Sequence, residues 1–181
     1  MITGDPVLHN KAQQVDEIND YIRDLVEDMY ETMDLAPGVG LAAPQIGIPL
    51  SIFVFDWEDE TGVYRGVAIN PTLAVGEIAT GDPDPESEVE GCLSVPGERF
   101  PLKRALTATL TALDIQGNEF QISASGWLAR IFQHEFDHLQ GTLYVDRLLD
   151  KYAKQAKKAI KAGGWGTKGL SWTPGQDFLE P

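Results

Sequence analysis

The sequence predicts a domain that mixes α-helices with β-strands, and three observations lead to this prediction. Apolar residues recur at three- and four-residue intervals near the start, around a pair of histidines and near the end, which predicts three helices. Short runs of β-branched and aromatic residues lie between the first two helices, separated by turn residues, as is typical of strands. The length of 181 residues fits one unit, so we expect a single domain over 1–181 with a Gly-, Pro- and Trp-rich tail at 165–181.

The first predicted helix is amphipathic and about five turns long, with acidic residues filling the face opposite its apolar stripe. Pro37-Gly38 is expected to end it. The apolar positions are Val15, Ile18, Ile22, Leu25, Met29 and Met33.

A glycine-rich segment, residues 38–47, follows this helix. Its three glycines allow unusual backbone angles and the close approach of a ligand. A tight connection into the next strand explains the same composition equally well. Within the segment, Gln45 is the polar side chain that could donate a hydrogen bond.

The strands are predicted from apolar runs, with breaks at turn residues. An acidic turn is expected at 56–62, a break at Asn70-Pro71, and an exposed loop at 79–89. The predicted strands are 51–55, 63–69, 73–78, a hairpin formed by 104–113 and 119–122, and a short strand at 143–145.

The middle helix contains the stretch Gln133-His134-Glu135-Phe136-Asp137-His138. Histidines four residues apart project from one helix face, where both ring nitrogens can bind one metal ion at about 2.0–2.1 Å. Glu135 follows the first histidine, as in metal hydrolases with the H-E-x-x-H pattern. Ser123 or Ser125 is the expected N-cap, and Gly141 is placed to end the helix. Apolar residues on more than one stripe predict that this helix is covered on most sides.

A metal site with these histidines needs at least one more protein ligand, and Cys92 is the best available candidate. Peptidases with the H-E-x-x-H pattern take a downstream Glu or His, and residues 139–179 contain neither. A lone cysteine is also often a small buried apolar residue, so this alternative stays open. A Cys-His-His site with an open position is catalytic in type, and it suits zinc, ferrous iron, nickel or cobalt.

Composition excludes several classes of protein. The net charge of −14 argues against a DNA-binding protein or a general nucleic-acid binder, because phosphate would be repelled. One cysteine cannot form an intramolecular disulfide. No apolar run approaches the roughly 18 residues of a membrane span, and residues 1–6 do not match a signal peptide. We therefore expect a cytoplasmic protein with no membrane partner.

Three stretches resemble the signature motifs of peptide deformylases, in the family's order and with similar spacing. They are residues 38–45, residues 90–94 and residues 133–138, and the resemblance covers about residues 3 to 160. It implies an α+β fold, with antiparallel sheets wrapped around the metal-binding helix and an amphipathic helix toward each end of the chain. It also implies that the chain removes the formyl group from the N-terminal formyl-methionine of newly synthesised proteins, releasing formate.

The resemblance also implies a role for individual residues. Cys92, His134 and His138 would bind one divalent metal, commonly Fe²⁺, with Zn²⁺, Ni²⁺ or Co²⁺ as the other possibilities. Glu135 would be the general acid/base, and Gln45 with the backbone N–H of Leu93 would form the oxyanion hole. The methionine pocket would be lined by Val39, Gly40, Trp127, Arg130 and Ile131.

Three charged residues of this implied site are expected to form ion pairs. Arg130 is unusual in an apolar pocket, so we expect its stem to pack there and its guanidinium to find an acid. Glu90 and Arg104 are expected to pair behind Cys92, although a plain surface salt bridge is equally compatible with the sequence.

Two other functions compete with deformylation. One is a different metal peptidase or amidohydrolase built on the same helix, which the missing downstream ligand disfavours. The other is an idle metal-binding module docked on the translation machinery, which the presence of both Glu135 and Gln45 disfavours.

The last predicted helix, residues 146–162, has a basic face opposite its apolar one. The inward positions are Leu148, Leu149, Tyr152, Ala153, Ala156 and Ile160, and Gly163-Gly164 is expected to end the helix. Lys151, Lys154, Lys158 and Lys161 share the basic face, with no acid between Lys151 and Lys161 to pair with them. The face is either simply solvated or, as the family resemblance favours, a weak dock onto ribosomal RNA.

Overall fold

The computed structural model describes residues 1–36 and 38–177. The predicted helix end at Pro37 and the last four residues of the tail lie outside this range. The elements in chain order are α1 (Asp20–Leu35), β1 (Gly40–Ala42), β2 (Ile52–Asp59), β3 (Gly62–Val75), β4 (Val89–Cys92), β5 (Val95–Pro101), β6 (Thr107–Leu113), β7 (Glu119–Ser125), α2 (Gly126–Leu139) and α3 (Asp150–Ala162).

The strands form two antiparallel sheets. Five strands pair in the order β1-β2-β3-β6-β7, and β4 pairs with β5 in a separate hairpin. The predicted hairpin around residues 114–118 is confirmed: the Asp114 carboxylate accepts from the backbone N–H groups of Gln116 and Asn118, which closes the turn between β6 and β7. The α+β fold class is therefore confirmed.

Helix α2 lies in the core, as its apolar residues predicted. Phe132 packs edge-on against Phe55 of β2, with ring centroids 5.1 Å apart, and lies 6.3 Å from the ring of Phe53. The helix ends where predicted, because Gly141 follows it with a φ of +73°. Ser125 occupies the N-cap position, without a side-chain hydrogen bond to the helix. The buried helix gives its histidines a rigid support.

Helix α1 starts later than its apolar periodicity predicted. Asn19 caps it by accepting from the Ile22 N–H, so Val15 and Ile18 precede the helix. Val15 instead exchanges two hydrogen bonds of 2.8 Å with the Asn70 side chain, which holds the segment against β3. A tertiary contact therefore overrides the three- and four-residue pattern at this end.

The predicted strand break at Asn70-Pro71 is wrong, because β3 continues through it. Asn70 has a φ of +51°, and the register with β6 shifts between Ile69 and Thr72, so the pair forms a bulge. The predicted strand at 73–78 is the second half of β3, and the acidic turn shrinks because β2 extends to Asp59.

Two predictions near the C-terminus also need correction. Residues 143–145 are not a strand, since Tyr144–Arg147 is a 3₁₀ helix in which Asp146 accepts from the Leu143 N–H. Helix α3 begins at Asp150 rather than at residue 146, so Leu148 and Leu149 precede it. The predicted end at Gly163 is confirmed.

The described part of the tail packs back onto the body, as expected. The Ile2 N–H donates to the Leu170 carbonyl at 2.9 Å, and Trp165 packs against the cluster formed by β5, α3 and the segment before it. No helix in the described part of the chain is long and apolar enough to cross a membrane.

Candidate metal centre

Three donor side chains converge at the centre of the fold. Cys92 ends strand β4, and His134 and His138 lie one turn apart on α2. Their ligand atoms all lie within 4.8 Å of one another, and the Cys92 Sγ is 3.3 Å from the His138 Nε2. Such spacing is close to what three donors of one metal ion require. The structure thus brings together the three predicted ligands from two distant parts of the sequence.

A buried carboxylate orients the first histidine. His134 donates from Nδ1 to the Glu90 Oε2 at 3.0 Å, which leaves Nε2 for a ligand bond. Glu90 also accepts two hydrogen bonds of 2.9 Å from Arg104. Burial alone would raise the pKa of Glu90, but the hydrogen bonds from His134 and Arg104 hold that pKa well below its usual range. The pair is therefore a buried support behind the donors and not a surface salt bridge.

The ionic network extends beyond the predicted pair to Asp137. Arg104 donates to the Asp137 carboxylate at 2.6 Å, and Arg147 donates to both Asp137 oxygens, also at 2.6 Å. Sequence reasoning did not assign Asp137 this role. Its position in a helix that is apolar on several faces could have signalled a buried carboxylate that needs cationic partners.

Glu135 is held in the cavity wall beside the donors. Its side chain is buried, and Oε2 has no hydrogen-bond partner among the described residues. Burial raises the pKa of Glu135 to about 7. A carboxyl group with that pKa can both take and give a proton near neutral pH.

Gly40 makes room for this carboxylate. A Cβ on Gly40 would lie 2.4 Å from the Glu135 Oε1, closer than real side-chain contacts come. The glycine was predicted as part of the substrate pocket, and its clearest role is this close approach.

Gln45 and Leu93 border the same space. Gln45 is buried in a short 3₁₀ helix, and its Oε1 accepts from the Ala42 N–H at 2.8 Å. This contact turns the amide Nε2 toward the Cys92 Sγ, 3.7 Å away. Leu93 lies directly after Cys92, in the two-residue loop that joins β4 to β5. The two predicted oxyanion donors therefore lie beside the three metal-ligand candidates.

A cavity of about 330 Å³ opens beside the donors. The structure brings all five predicted pocket residues to its wall: Val39, Gly40, Trp127, Arg130 and Ile131.

The position of Arg130 in this cavity wall is the expected one. Its guanidinium donates to Glu90 at 2.7 Å and lies 5.3 Å from the Trp127 ring centroid.

Trp57 also lines this cavity, and sequence reasoning missed it. Its ring centroid lies 6.2 Å from that of Trp127, so the two indoles form one apolar wall. Trp57 was assigned to a turn, whereas it lies inside β2. Recognising that strand as longer would have placed it near the site.

The donor set fits a divalent metal ion. Burial lowers the pKa of His138; for His134, burial is outweighed by contacts with Cys92 and Glu90, which raise the pKa, and a metal binds either ring as the neutral imidazole. Glu135 and Gln45 line the same cavity as Cys92 and His134, so the residues that would hold an ion lie next to groups that could act on a substrate.

The predicted basic face of α3 differs from expectation at one end. The Lys151 ammonium lies 2.8 Å from Asp82, a residue of the loop before β4, so this lysine has an acidic partner from elsewhere in the chain. Lys154, Lys158 and Lys161 are exposed.

A family model described as polypeptide deformylase matches residues 1–154 of the chain. The peptide deformylase of Mycobacteroides abscessus is 50% identical over 183 residues, covering 97% of this chain and 93% of that protein. The peptide deformylase of Rhodococcus opacus is 51% identical over 179 residues, covering 96% and 91%.

Solved structures of such enzymes resemble the fold as well. The peptide deformylase from Thermus thermophilus superposes with a TM-score of 0.74 at 37% identity, covering 89% of this chain and 91% of that one. The enzyme from Synechococcus elongatus, solved in complex with actinonin, has a TM-score of 0.77 at 34% identity, covering 93% and 90%.

Proposed function

This chain belongs to the polypeptide deformylase family, and we propose that Cys92, His134 and His138 hold the metal ion on which its reaction depends. The chain is a hydrolase that removes the formyl group from the N-terminal formyl-methionine of newly synthesised proteins, which releases formate. The observation that carries the residue assignment is the convergence of the three donors, two of which, Cys92 and His134, line one cavity together with Glu135.

The metal in this proposal is Fe²⁺, with Zn²⁺, Ni²⁺ and Co²⁺ able to replace it. One thiolate with two imidazoles is a donor set that accepts all four ions. When bound, the ion supplies Lewis-acid polarisation of the formyl oxygen and acidifies water.

The residues around the cavity bind the formyl oxygen and transfer the proton. The Gln45 amide and the Leu93 N–H hold the formyl oxygen as negative charge develops on it, each such donor being worth about 2.7–4 kcal/mol. Glu135 takes a proton from the attacking water and delivers it to the departing amine. Burial of Glu135 favours proton uptake by its carboxylate.

The cavity wall binds the methionine side chain in this proposal. Trp127, Ile131 and Val39 offer apolar surface, while Arg130 keeps its charge on Glu90 and away from the substrate. Glu90 and Arg104 act through His134, by holding its ring in place.

Formate release from a formyl-methionyl tripeptide tests the assignment. Wild-type protein with one equivalent of metal should release formate, and metal-free protein should not. Glu135→Gln should retain the metal and lose at least about 10²-fold in kcat, because the proton shuttle is removed. Glu119→Gln, an exposed change on β7, is the matched control and should keep full activity.

The alternatives predict different results in the same assay. A metal peptidase would cleave the unformylated tripeptide, and an idle module would release no formate with any metal. A Glu135→Gln variant with near-native kcat would remove the proton-transfer role from Glu135.

The proposal also includes a weak ribosome dock on α3 and a cytoplasmic location, where nascent chains emerge. Lys154, Lys158 and Lys161 form the docking face, and Lys151 contributes less because it faces Asp82. Reversing Lys154, Lys158 and Lys161 to Glu should abolish co-sedimentation with ribosomes at low salt and leave peptide deformylation unchanged. Co-sedimentation equal to wild type would show a merely solvated face.

A further inference from the structure

The C-terminal tail, residues 164–177, crosses the N-terminal segment and reaches the active-site loop. The Gly166 N–H donates to the Thr3 carbonyl at 3.0 Å, and the Gly169 N–H donates to the Asp5 carboxylate at 2.9 Å. The Trp172 indole Nε1 then donates to the Leu93 carbonyl at 2.7 Å. The tail is thus hydrogen-bonded to the N-terminal segment at Gly166 and Gly169, and at Trp172 it reaches the residue that follows Cys92.

The loop Leu93–Ser94 is held by hydrogen bonds on several sides. The Ser94 N–H donates to the Cys92 Sγ at 3.4 Å, and the Ser94 carbonyl accepts from the Thr3 N–H at 2.8 Å. The Leu93 C=O and the Ser94 N–H belong to one planar peptide group. Trp172 therefore fixes one end of the plane whose other end lies on the Cys92 sulfur.

The loop is not packed against protein on every side. A second cavity, of about 300 Å³, lies behind it and is lined by Gln45, Leu93, Ser94, Ser171, Trp172 and Pro174. The Ser94 Oγ is buried and has no hydrogen-bond partner among the described residues. The Trp172 hydrogen bond adds a directed contact on the side of the loop that protein atoms do not fill.

We propose that Trp172 is a positioning residue for deformylation, which holds the Leu93–Ser94 loop so that the Leu93 N–H faces the formyl oxygen. This inference rests on the proposed function, because it assigns Leu93 an oxyanion role. Trp172 lies beyond residues 1–154, the stretch that the family model matches, so family membership does not assign it a role.

Trp172→Phe tests the proposal, since it removes the N–H donor and keeps an aromatic ring. Trp165→Phe is the matched control, because Trp165 belongs to the same tail and packs against the cluster that contains Tyr144, whereas the indole bond to the Leu93 carbonyl is made by Trp172. The measurements are kcat and KM with a formyl-methionyl tripeptide, the thermal midpoint, and the rate at which a chelator removes zinc from the loaded protein.

The proposal predicts a specific pattern for Trp172→Phe. The value of kcat should fall about three- to tenfold with KM within twofold of wild type, because a hydrogen bond made in the transition state is misplaced. The thermal midpoint should stay close to that of Trp165→Phe, and the control should keep kcat. Zinc should leave Trp172→Phe at least about threefold faster, because the Ser94 N–H moves off the Cys92 sulfur.

Either of two results would overturn the inference. One is a kcat for Trp172→Phe within twofold of wild type, and the other is a fall in kcat that both variants share with a common loss of thermal stability. If wild-type protein releases no formate, the proposed function fails, and the rate of zinc removal alone tests whether Trp172 holds the Leu93–Ser94 loop. Faster zinc loss from Trp172→Phe than from wild type supports this role, and equal rates reject it.

Discussion

Replacing Arg104 by Leu should be among the most destabilising single changes in the protein. The Arg104 side chain is only 6% exposed and makes three hydrogen bonds, two of 2.9 Å to Glu90 and one of 2.6 Å to Asp137. Removing the guanidinium leaves the buried carboxylates of Glu90 and Asp137 with fewer cationic partners. Breaking a buried ion pair on one side costs about 3–5 kcal/mol.

Urea unfolding of the metal-free protein, followed by circular dichroism, measures this cost without a contribution from metal binding. A loss of that size should lower the thermal midpoint by about 6 to 20 °C, at about 2–4 °C per kcal/mol for a chain of this length. Arg65→Leu is the matched control, because Arg65 also pairs with two carboxylates, Asp34 and Asp56, but is 39% exposed. We expect the control to lose no more than about 1 kcal/mol.

A second substitution tests whether the loss comes from the buried carboxylates that Arg104 neutralises. Adding Glu90→Gln to Arg104→Leu should recover part of the loss, because one of the two undercompensated charges disappears. Equal losses of stability for Arg104→Leu and Arg65→Leu would contradict this expectation, since burial would then make no difference to the contribution of the ion pairs.

Two further predictions concern Glu135. Gly40→Ala should lower kcat by at least about tenfold in the formate assay, because its Cβ would fall 2.4 Å from the Glu135 Oε1 and displace the carboxylate; an unchanged kcat would show that the strand can shift without cost. In metal-free protein, burial raises the pKa of Glu135 from 4.5 to about 7, so its stabilising contribution is full below pH 4.5 and is lost as the pH rises through 7. The free energy of unfolding of Glu135→Gln, measured with urea, should therefore rise by about 3 kcal/mol relative to that of wild type between pH 4.5 and pH 8, at about 1.4 kcal/mol per tenfold change in proton affinity. A difference between the two proteins that does not change with pH would contradict the raised pKa.

Local periodicity was enough to predict the helical part of the site. His134, Glu135 and His138 are near neighbours on one helix, so their spacing alone places them together. Cys92 is 42 residues before His134 and was identified through its chemistry as a metal ligand, not through any local pattern. The structure places Cys92 beside the two histidines, while its role as a ligand stays a proposal.

The features that sequence reasoning missed depend on contacts between distant segments. Asn70 sits in a bulge because its side chain binds the backbone of Val15, and neither residue signals the other in the sequence. Trp57 reaches the cavity only because β2 is longer than its apolar run. The short run 143–145 formed a 3₁₀ helix and not a strand, since so few apolar residues do not distinguish the two.

X-ray absorption at the metal edge of zinc-loaded protein tests directly whether Cys92, His134 and His138 bind the ion. We expect one sulfur ligand at about 2.3 Å and two imidazole nitrogens at about 2.0–2.1 Å, with the sulfur lost in Cys92→Ser. A wild-type spectrum without a sulfur ligand, or one that Cys92→Ser leaves unchanged, would contradict the assignment of Cys92, His134 and His138 as the metal centre.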